Sequence, residues 1–412
     1  MLREEAISVA KLATSQTAHN LVRVFFLQEQ LKSQGKQVAY APSHVHVIGG
    51  GIMGGDIASW CAIQGYRVTV QDQEPSRLAQ TIKRAQSSFR KKYKRDRRSI
   101  VAASDRLMAD HKGYGISKAD IIIEAIFEDV DVKRKLYRDI EPRMKADAIL
   151  ATNTSSIRLE DLSSSLKQPG RLVGLHFFNP VAKMPLVEII RGSETDEEVV
   201  QKALAFGRNI SKLPLPVKSS PGFLVNRILM PYLLEAVTMV DEGVPPEVID
   251  KAATDFGMPM GPIELADTVG LDICKSVAEI LSASLGMPLP DNLNAMSDAN
   301  KLGKKSGEGF YKYKKGKAVK NKSARYPDVQ KVQDRLVMRL LNEATACLRE
   351  EIVQSDDLID AGVIFGTGFA PFRGGPIHYI RETGKQKLAD RMNELRHEYG
   401  ERFQSDTAWA GL

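Results

Sequence analysis

The spacing of apolar positions changes along this chain, and each change marks an element. Over residues 4–33, which hold no Pro or Gly, Ile7, Ala10, Leu12, Leu21, Val24, Phe25 and Leu27 recur at helical spacing and predict one or two amphipathic helices ending near Gly35. A polar connector then leads to Pro42. Short apolar runs at His44–Ile48, Arg67–Gln71, Ala119–Glu124 and Ala148–Ala151 follow, each too brief for a helix and predicted as a buried strand. Between them lie helical patterns from Ile52 to about Gln64, from Pro75 to about Arg98, and over Val130–Met144. Strands alternating with helices predict an α/β fold, a Rossmann-type doubly wound parallel sheet. Arg171–Phe178 and Leu186–Ile190 extend that sheet, and Leu213–Lys218 is its last strand.

Ser219-Ser220-Pro221-Gly222 punctuates the chain and predicts a domain boundary. From Phe223 onward helical periodicity takes over, and it contains a repeat. Arg227-Ile-Leu-Met with Glu235-Ala236 recurs as Arg335-Leu-Val-Met with Glu343-Ala344, Ile249-Asp250 as Ile359-Asp360, and Gly261-Pro262-Ile263 as Gly375-Pro376-Ile377. The expected plan is an N-terminal helical brace (1–43), the sheet domain (44–218) and two repeated all-α domains (219–325 and 326–412). A Lys- and Gly-rich loop over 303–322 separates the repeats. The second copy has Asp334 where the first has Asn226, which suits a scaffold.

The sheet's first connection carries chemistry. His44–Ile48 runs into Gly49-Gly50-Gly51-Ile52-Met53-Gly54, a G-x-G-x-x-G with Gly49, Gly51 and Gly54 in the glycine places. They serve a tight turn, the approach of a pyrophosphate and close helix–strand packing. Asp72 lies 21 residues after Gly51, at the end of the next strand, where a carboxylate accepts hydrogen bonds from a ribose. A turn cap is its other reading. No Arg directly follows it, which favours NAD over NADP. Ligands of such sheets sit beyond the carboxyl ends of the strands, and Glu124, Glu128 and Asn153–Ser156 all follow strand ends.

The most informative stretch is Leu175–Ile190, LHFFNPVAKMPLVEII. If the loop holding Pro180 and Pro185 is symmetric about Ala182, an antiparallel register sets His176 opposite Glu188. Cross-strand Cβ atoms are then about 5 Å apart, within reach of an imidazole–carboxylate bond. A His so held is a candidate general base; an ordinary hairpin is the alternative. Asn226 reads equally as a helix N-terminal polar residue and as a group near the crevice.

Composition narrows the rest. The 412 residues are 43% hydrophobic and 26% charged, ordinary for a globular protein. Cys61, Cys274 and Cys347 show no metal spacing, so a reducing compartment and no structural metal are expected. Neither a signal peptide nor a membrane span is expected, and cytoplasm is the default. The net charge of +7 is concentrated in RKKYKRDRR at 90–98. That run is either a solvated helix end or a phosphate site. Aromatic residues do not interleave with it, which argues against nucleic acid.

VHVIGGGIMG (45–54), EAIFEDVDVK (124–133), TNTSS (152–156), GLHFFNPVAKMPLVEII (174–190), SPGFLVNR (220–227) and GKKSGEGFYKY (303–313) resemble the L-3-hydroxyacyl-CoA dehydrogenases of fatty-acid β-oxidation. The second helical copy and the leading helix resemble the dehydrogenase half of the multifunctional β-oxidation enzymes, in which an enoyl-CoA hydratase domain precedes that helix. The 412 residues leave no room for one, so the expectation is a relative without it or a part of a longer protein. The resemblance implies NAD as cofactor and an acyl-CoA as substrate. His176 would be the base, Glu188 its orienting partner, and Ser155 a donor to the reacting oxygen. Asn179 would lie beside His176 and the nicotinamide, and Asn226 would hold the substrate's oxygen or thioester end. Met53, Asp72, Glu128 and Lys133 match NAD contacts. Ser88 and Arg95 fall where the family meets coenzyme A, with Arg95 often Lys in relatives. Tyr379 matches a substrate-reaching position of the multifunctional enzymes. The implied partners are a separate hydratase or thiolase, and the internal repeat is compatible with a monomer. A non-catalytic protein on the same fold and a dehydrogenase for 3-hydroxybutyryl-CoA or another 3-hydroxy acid are the competing readings.

Overall fold

Eight strands form one sheet in the computed structural model, which describes residues 2–286, 289–321 and 323–412. They are β1 His44–Ile48, β2 Arg67–Gln71, β3 Leu107–Ala109, β4 Ile121–Glu124, β5 Ile149–Thr152, β6 Leu172–Phe177, β7 Leu186–Arg191 and β8 Leu213–Lys218. Their order is β3-β2-β1-β4-β5-β6-β7-β8. Every neighbouring pair is parallel except β6 and β7. The central strands read as continuous apolar runs because both faces are covered. Val45, Val47, Ile121, Ile123, Ile149 and Ala151 pack on one side with Ile57, Ala58 and Val68. Ile48, Ile122, Leu150 and Leu172 pack on the other with Tyr137, Ile140 and Leu162.

Two expected helix ends move. The helix starting at Pro75 ends at Tyr93 rather than near Arg98. Lys94 turns left-handed at φ 54°, and Asp96 caps a new helix, Arg97–Arg106, by accepting from the Ser99 N–H. Arg95 therefore sits in an exposed turn, outside the helix that carries Ser88. The three-residue edge strand β3 follows without a sequence signal of its own. The helix from Val130 stops at Ile140, and one 3₁₀ turn, Glu141–Arg143, continues it; Pro142 has no N–H to extend the α ladder.

By contacts the chain divides into two compact units, Gln28–Ser220 and a second that joins Pro221–Leu412 with the chain up to Leu27. The first helix pair is Leu2–Ala13 and Gln16–Ser33. In the helical unit, Arg227 on the helix Val225–Asp241 donates to Glu343 at 2.8 Å and Glu350 at 2.6 Å. Arg335 on the helix Val329–Arg349 donates to Glu235 at 2.7 Å and Glu242 at 2.5 Å. Asp250 accepts from the Ile263 N–H at 2.9 Å and Lys320 at 3.0 Å; Asp360 accepts from the Ile377 N–H and from Arg23, both at 2.8 Å. The glycines preceding Pro262 and Pro376 leave room for these carboxylates, since a Cβ at Gly261 or Gly375 would collide with them. No helix among the described residues is long and apolar enough to cross a membrane.

One buried polar cluster gives a stability prediction. On the face of β1 away from Val45 and Val47, His44 Nε2 and His46 Nδ1 meet Thr69 Oγ1 at 2.8 and 2.7 Å, and His46 Nε2 meets Gln71 at 3.0 Å. Burial pushes the His46 imidazole down to about 4, against the side-chain bond to the Gln71 amide oxygen, which favours the charged form. The unfolded chain, with an ordinary His, binds the proton first. This contribution to stability is therefore complete above about pH 6.5 and is lost as pH falls toward 4, by about 3 kcal/mol. Urea midpoints should drop between pH 7.5 and 5, and His46→Gln should flatten that drop. Equal slopes in the two proteins would refute the assignment to His46.

Candidate active site

The hairpin adopts the register that the symmetric loop predicts: Gly174 faces Ile190, Leu175 faces Ile189, and His176 faces Glu188. Alternation along each strand turns both side chains to one face. His176 Nδ1 meets Glu188 Oε2 at 2.6 Å, with His176 5% and Glu188 0% exposed. Held this way, Nδ1 carries the bonded proton, so proton exchange with a substrate would fall to Nε2. The Phe178 ring tilts against the imidazole, with centroids 4.5 Å apart.

The glycine loop lies between β1 and the helix Ile52–Ile63. Gly49 has φ 113°, and a Cβ at Gly54 would collide with its carbonyl. Gly51 has no heavy atom within 4 Å of where a Cβ would stand. This open backbone at a helix N-terminus suits a pyrophosphate. Asp72 accepts from the Gly50 N–H at 2.7 Å and from the Glu74 N–H at 2.9 Å, so it shapes the loop as well as standing at the ribose position. Thr81 donates to the Gly50 carbonyl at 2.5 Å, and Arg84 to the Gly51 carbonyl at 2.8 Å. Met53 is half-buried in the helix's first turn. These residues fit a dinucleotide.

A third cluster ties β4 to the segment after β5. Glu124 accepts from Lys133 at 2.6 Å, and from Tyr137 and Thr152, both at 2.8 Å. Glu128 accepts from Thr154 Oγ1 and the Ser155 N–H, both at 2.6 Å, and from Ser155 Oγ at 3.1 Å. Burial raises the Glu128 carboxyl, but the Lys133 charge and the bonds from Thr154 and Ser155 outweigh it and hold it below the usual carboxylate range. The Lys133 side chain is 1% exposed, with its ammonium between Glu124 and Glu128, so Glu128 and not Lys133 presents this network outward. Asn153 Oδ1 accepts from the Phe177 N–H at 2.9 Å, which links this cluster to the hairpin strand bearing His176.

The remaining expected residues are more scattered. Asn179 is exposed at the start of the hairpin turn, before a cis bond to Pro180. Ser88 is half-buried on the helix Pro75–Tyr93 and Arg95 is exposed in the turn beyond it. Asn226, on the helix Val225–Asp241, and Tyr379, on the helix Pro376–Thr383, belong to the helical unit. Tyr379 packs edge-on against Phe256 at 5.5 Å. Thr81 and Arg84 were not among the expected residues. Their spacing of three on the helix after Asp72 was the available signal.

Residues 44–220 match the NAD-binding domain of 3-hydroxyacyl-CoA dehydrogenases, and residues 222–313 match the C-terminal domain of the same enzymes. The chain is 36% identical over 427 aligned positions to the fatty acid oxidation complex subunit alpha of Shewanella baltica, covering 98% of this chain and 60% of that protein. The chain thus spans about three-fifths of the length of the curated relatives it matches. Among solved structures, 3-hydroxybutyryl-CoA dehydrogenase from Escherichia coli K12 aligns with a TM-score of 0.79 and 26% identity, over 90% of this chain and 98% of that one. The dehydrogenase part of multifunctional enzyme 1 from C. elegans aligns with a TM-score of 0.66 and 26% identity, over 96% and 99%.

Proposed function

The chain belongs to the 3-hydroxyacyl-CoA dehydrogenase family, and from that premise we propose that it oxidises the 3-hydroxyl of an L-3-hydroxyacyl-CoA to the ketone with NAD. The observation that carries this reading is the buried His176–Glu188 pair, 2.6 Å apart, on a sheet that also bears the open glycine loop. Bound NAD supplies the acceptor for the hydride that leaves C3. His176 Nε2 takes the hydroxyl proton. Glu188 holds the imidazole in the tautomer that leaves Nε2 basic, and offsets the positive charge that the ring acquires. Ser155 steadies the reacting oxygen, Asn226 holds the oxygen or thioester end, and Asn179 lines the nicotinamide side. Gly49, Gly51, Met53, Gly54 and Asp72 hold the dinucleotide, with Glu128 fixing the Ser155 segment and Lys133 acting from beneath Glu128.

We read the helical unit as a duplication. Arg227 reaches Glu343 and Glu350, and Arg335 reaches Glu235 and Glu242, so equivalent residues exchange partners across the two copies. In single-copy relatives that exchange would need a second subunit; here the second copy takes its place and favours a monomer. A separate hydratase or thiolase is the proposed partner class.

The basic turn gives coenzyme A its phosphate site. Arg95→Glu should raise KM for an acyl-CoA about tenfold at low salt and leave KM for the pantetheine thioester nearly unchanged. Equal effects on the two would remove the phosphate role. The functional reading is tested by NADH absorbance with 3-hydroxyacyl-CoA substrates from C4 to C16 and with acetoacetyl-CoA in reverse. Turnover is expected in both directions, and none with any of them would overturn it.

A further inference from the structure

Lys212, just before β8, is 4% exposed. Its ammonium donates to the carbonyls of Val181 and, at 2.6 Å, Met184, and lies 4.4 Å from the centre of the Trp60 ring. The indole is itself held by its N–H on the Ile210 carbonyl at 2.8 Å. Among the described residues these partners of Lys212 are backbone dipoles and a π face, with no carboxylate in ion-pair range. Burying a cation against dipoles costs more than filling the same space with an apolar chain, so the position asks for a use.

Both carbonyls belong to the turn between β6 and β7. In that turn the N–H groups of Lys183 and Met184 converge on the Pro180 carbonyl at 2.9 and 3.0 Å, and Leu213 N–H ties Pro185 at 2.8 Å. β7 starts at Leu186 and brings Glu188 opposite His176. A one-residue slip of this turn would move Glu188 to the other face.

We infer that Lys212 is a positioning residue of the catalytic hairpin: its ammonium, seated on Trp60, clamps the Val181 and Met184 carbonyls and so fixes the turn that carries Asn179 and sets Glu188 against His176. This rests on the proposed roles of His176 and Glu188. Burial pushes Lys212 down to about 8. The titratable neighbour whose charge reaches it is Cys61, a thiol that burial pushes up to about 12. The clamp is therefore charged at neutral pH and weakens as pH rises through 8.

Lys212→Met should lower kcat for acetoacetyl-CoA reduction by about tenfold to hundredfold, leave KM for NADH nearly unchanged, and speed amide exchange at Lys183 and Met184. Lys212→Arg, which keeps charge and donors, should recover most of the loss. A purely structural role would instead lower the melting temperature without slowing the folded enzyme. If the Met variant does not fold, the ratio of wild-type kcat to that of Lys212→Arg carries the test. Arg stays charged, and any pH dependence common to the two proteins cancels in the ratio, so it should fall severalfold from pH 7 to pH 9.5. Unchanged kcat and exchange in the Met variant, or a flat ratio, would overturn the inference. A wild type that turns over no acyl-CoA overturns the functional reading instead, and exchange at Lys183 and Met184 then decides the clamp alone.

Discussion

His176→Ala should slow acyl-CoA oxidation by about 10²–10⁴-fold, the usual span for a lost general base. The proton on the 3-hydroxyl must leave as the hydride does, and bulk water is a poor acceptor in a buried site. NADH should still bind with near-normal affinity, because the glycine loop and Asp72 depend on β1, β2 and the helix Ile52–Ile63 rather than on the hairpin. Some stability is lost as well, about 1–3 kcal/mol, since the buried Glu188 gives up its bond to the imidazole. NADH fluorescence titration beside steady-state kinetics separates these effects. Weakened NADH binding with normal turnover would assign His176 to the cofactor instead.

Glu188→Gln should cost nearly as much, about 10²–10⁴-fold in kcat, with the fold intact. The amide fills the same fully buried space as the carboxylate. However, it brings no charge to offset the imidazolium, and its –NH₂ can turn toward Nδ1 and impose the wrong tautomer. KM for NAD should hardly move. Full activity in this variant would show that the 2.6 Å contact is structural and that Glu188 has no orienting role.

Much of this site was legible because its parts are local or nearly so. The strand–glycine loop–helix unit and Asp72 lie within thirty residues of chain. The His176–Glu188 register follows from a short, symmetric loop and the two-residue period of strands. The basic run at 90–98 misled because Lys and Arg are good helix formers, which hid the break at Lys94. The signal was Asp96, three residues before Ser99, whose N–H it caps. Lys133 read as a cofactor contact from its motif; its burial beneath Glu128 rests on its ion pair with Glu124, nine residues earlier in that same motif. Lys212 had no local mark at all, because its partners lie at 60, 181 and 184. Likewise, the repeat was visible in the sequence, whereas the exchange of Arg227 and Arg335 between copies is tertiary.

The central claim is that His176 moves the proton in an NAD-dependent oxidation and reduction at C3. Stopped-flow mixing of the NADH-loaded protein with acetoacetyl-CoA, followed at 340 nm, tests it most directly. The wild type should bleach NADH in a single turnover, and His176→Ala, equally loaded, should do so about a hundredfold more slowly or worse. A His176→Ala trace that overlays the wild type would contradict the claim.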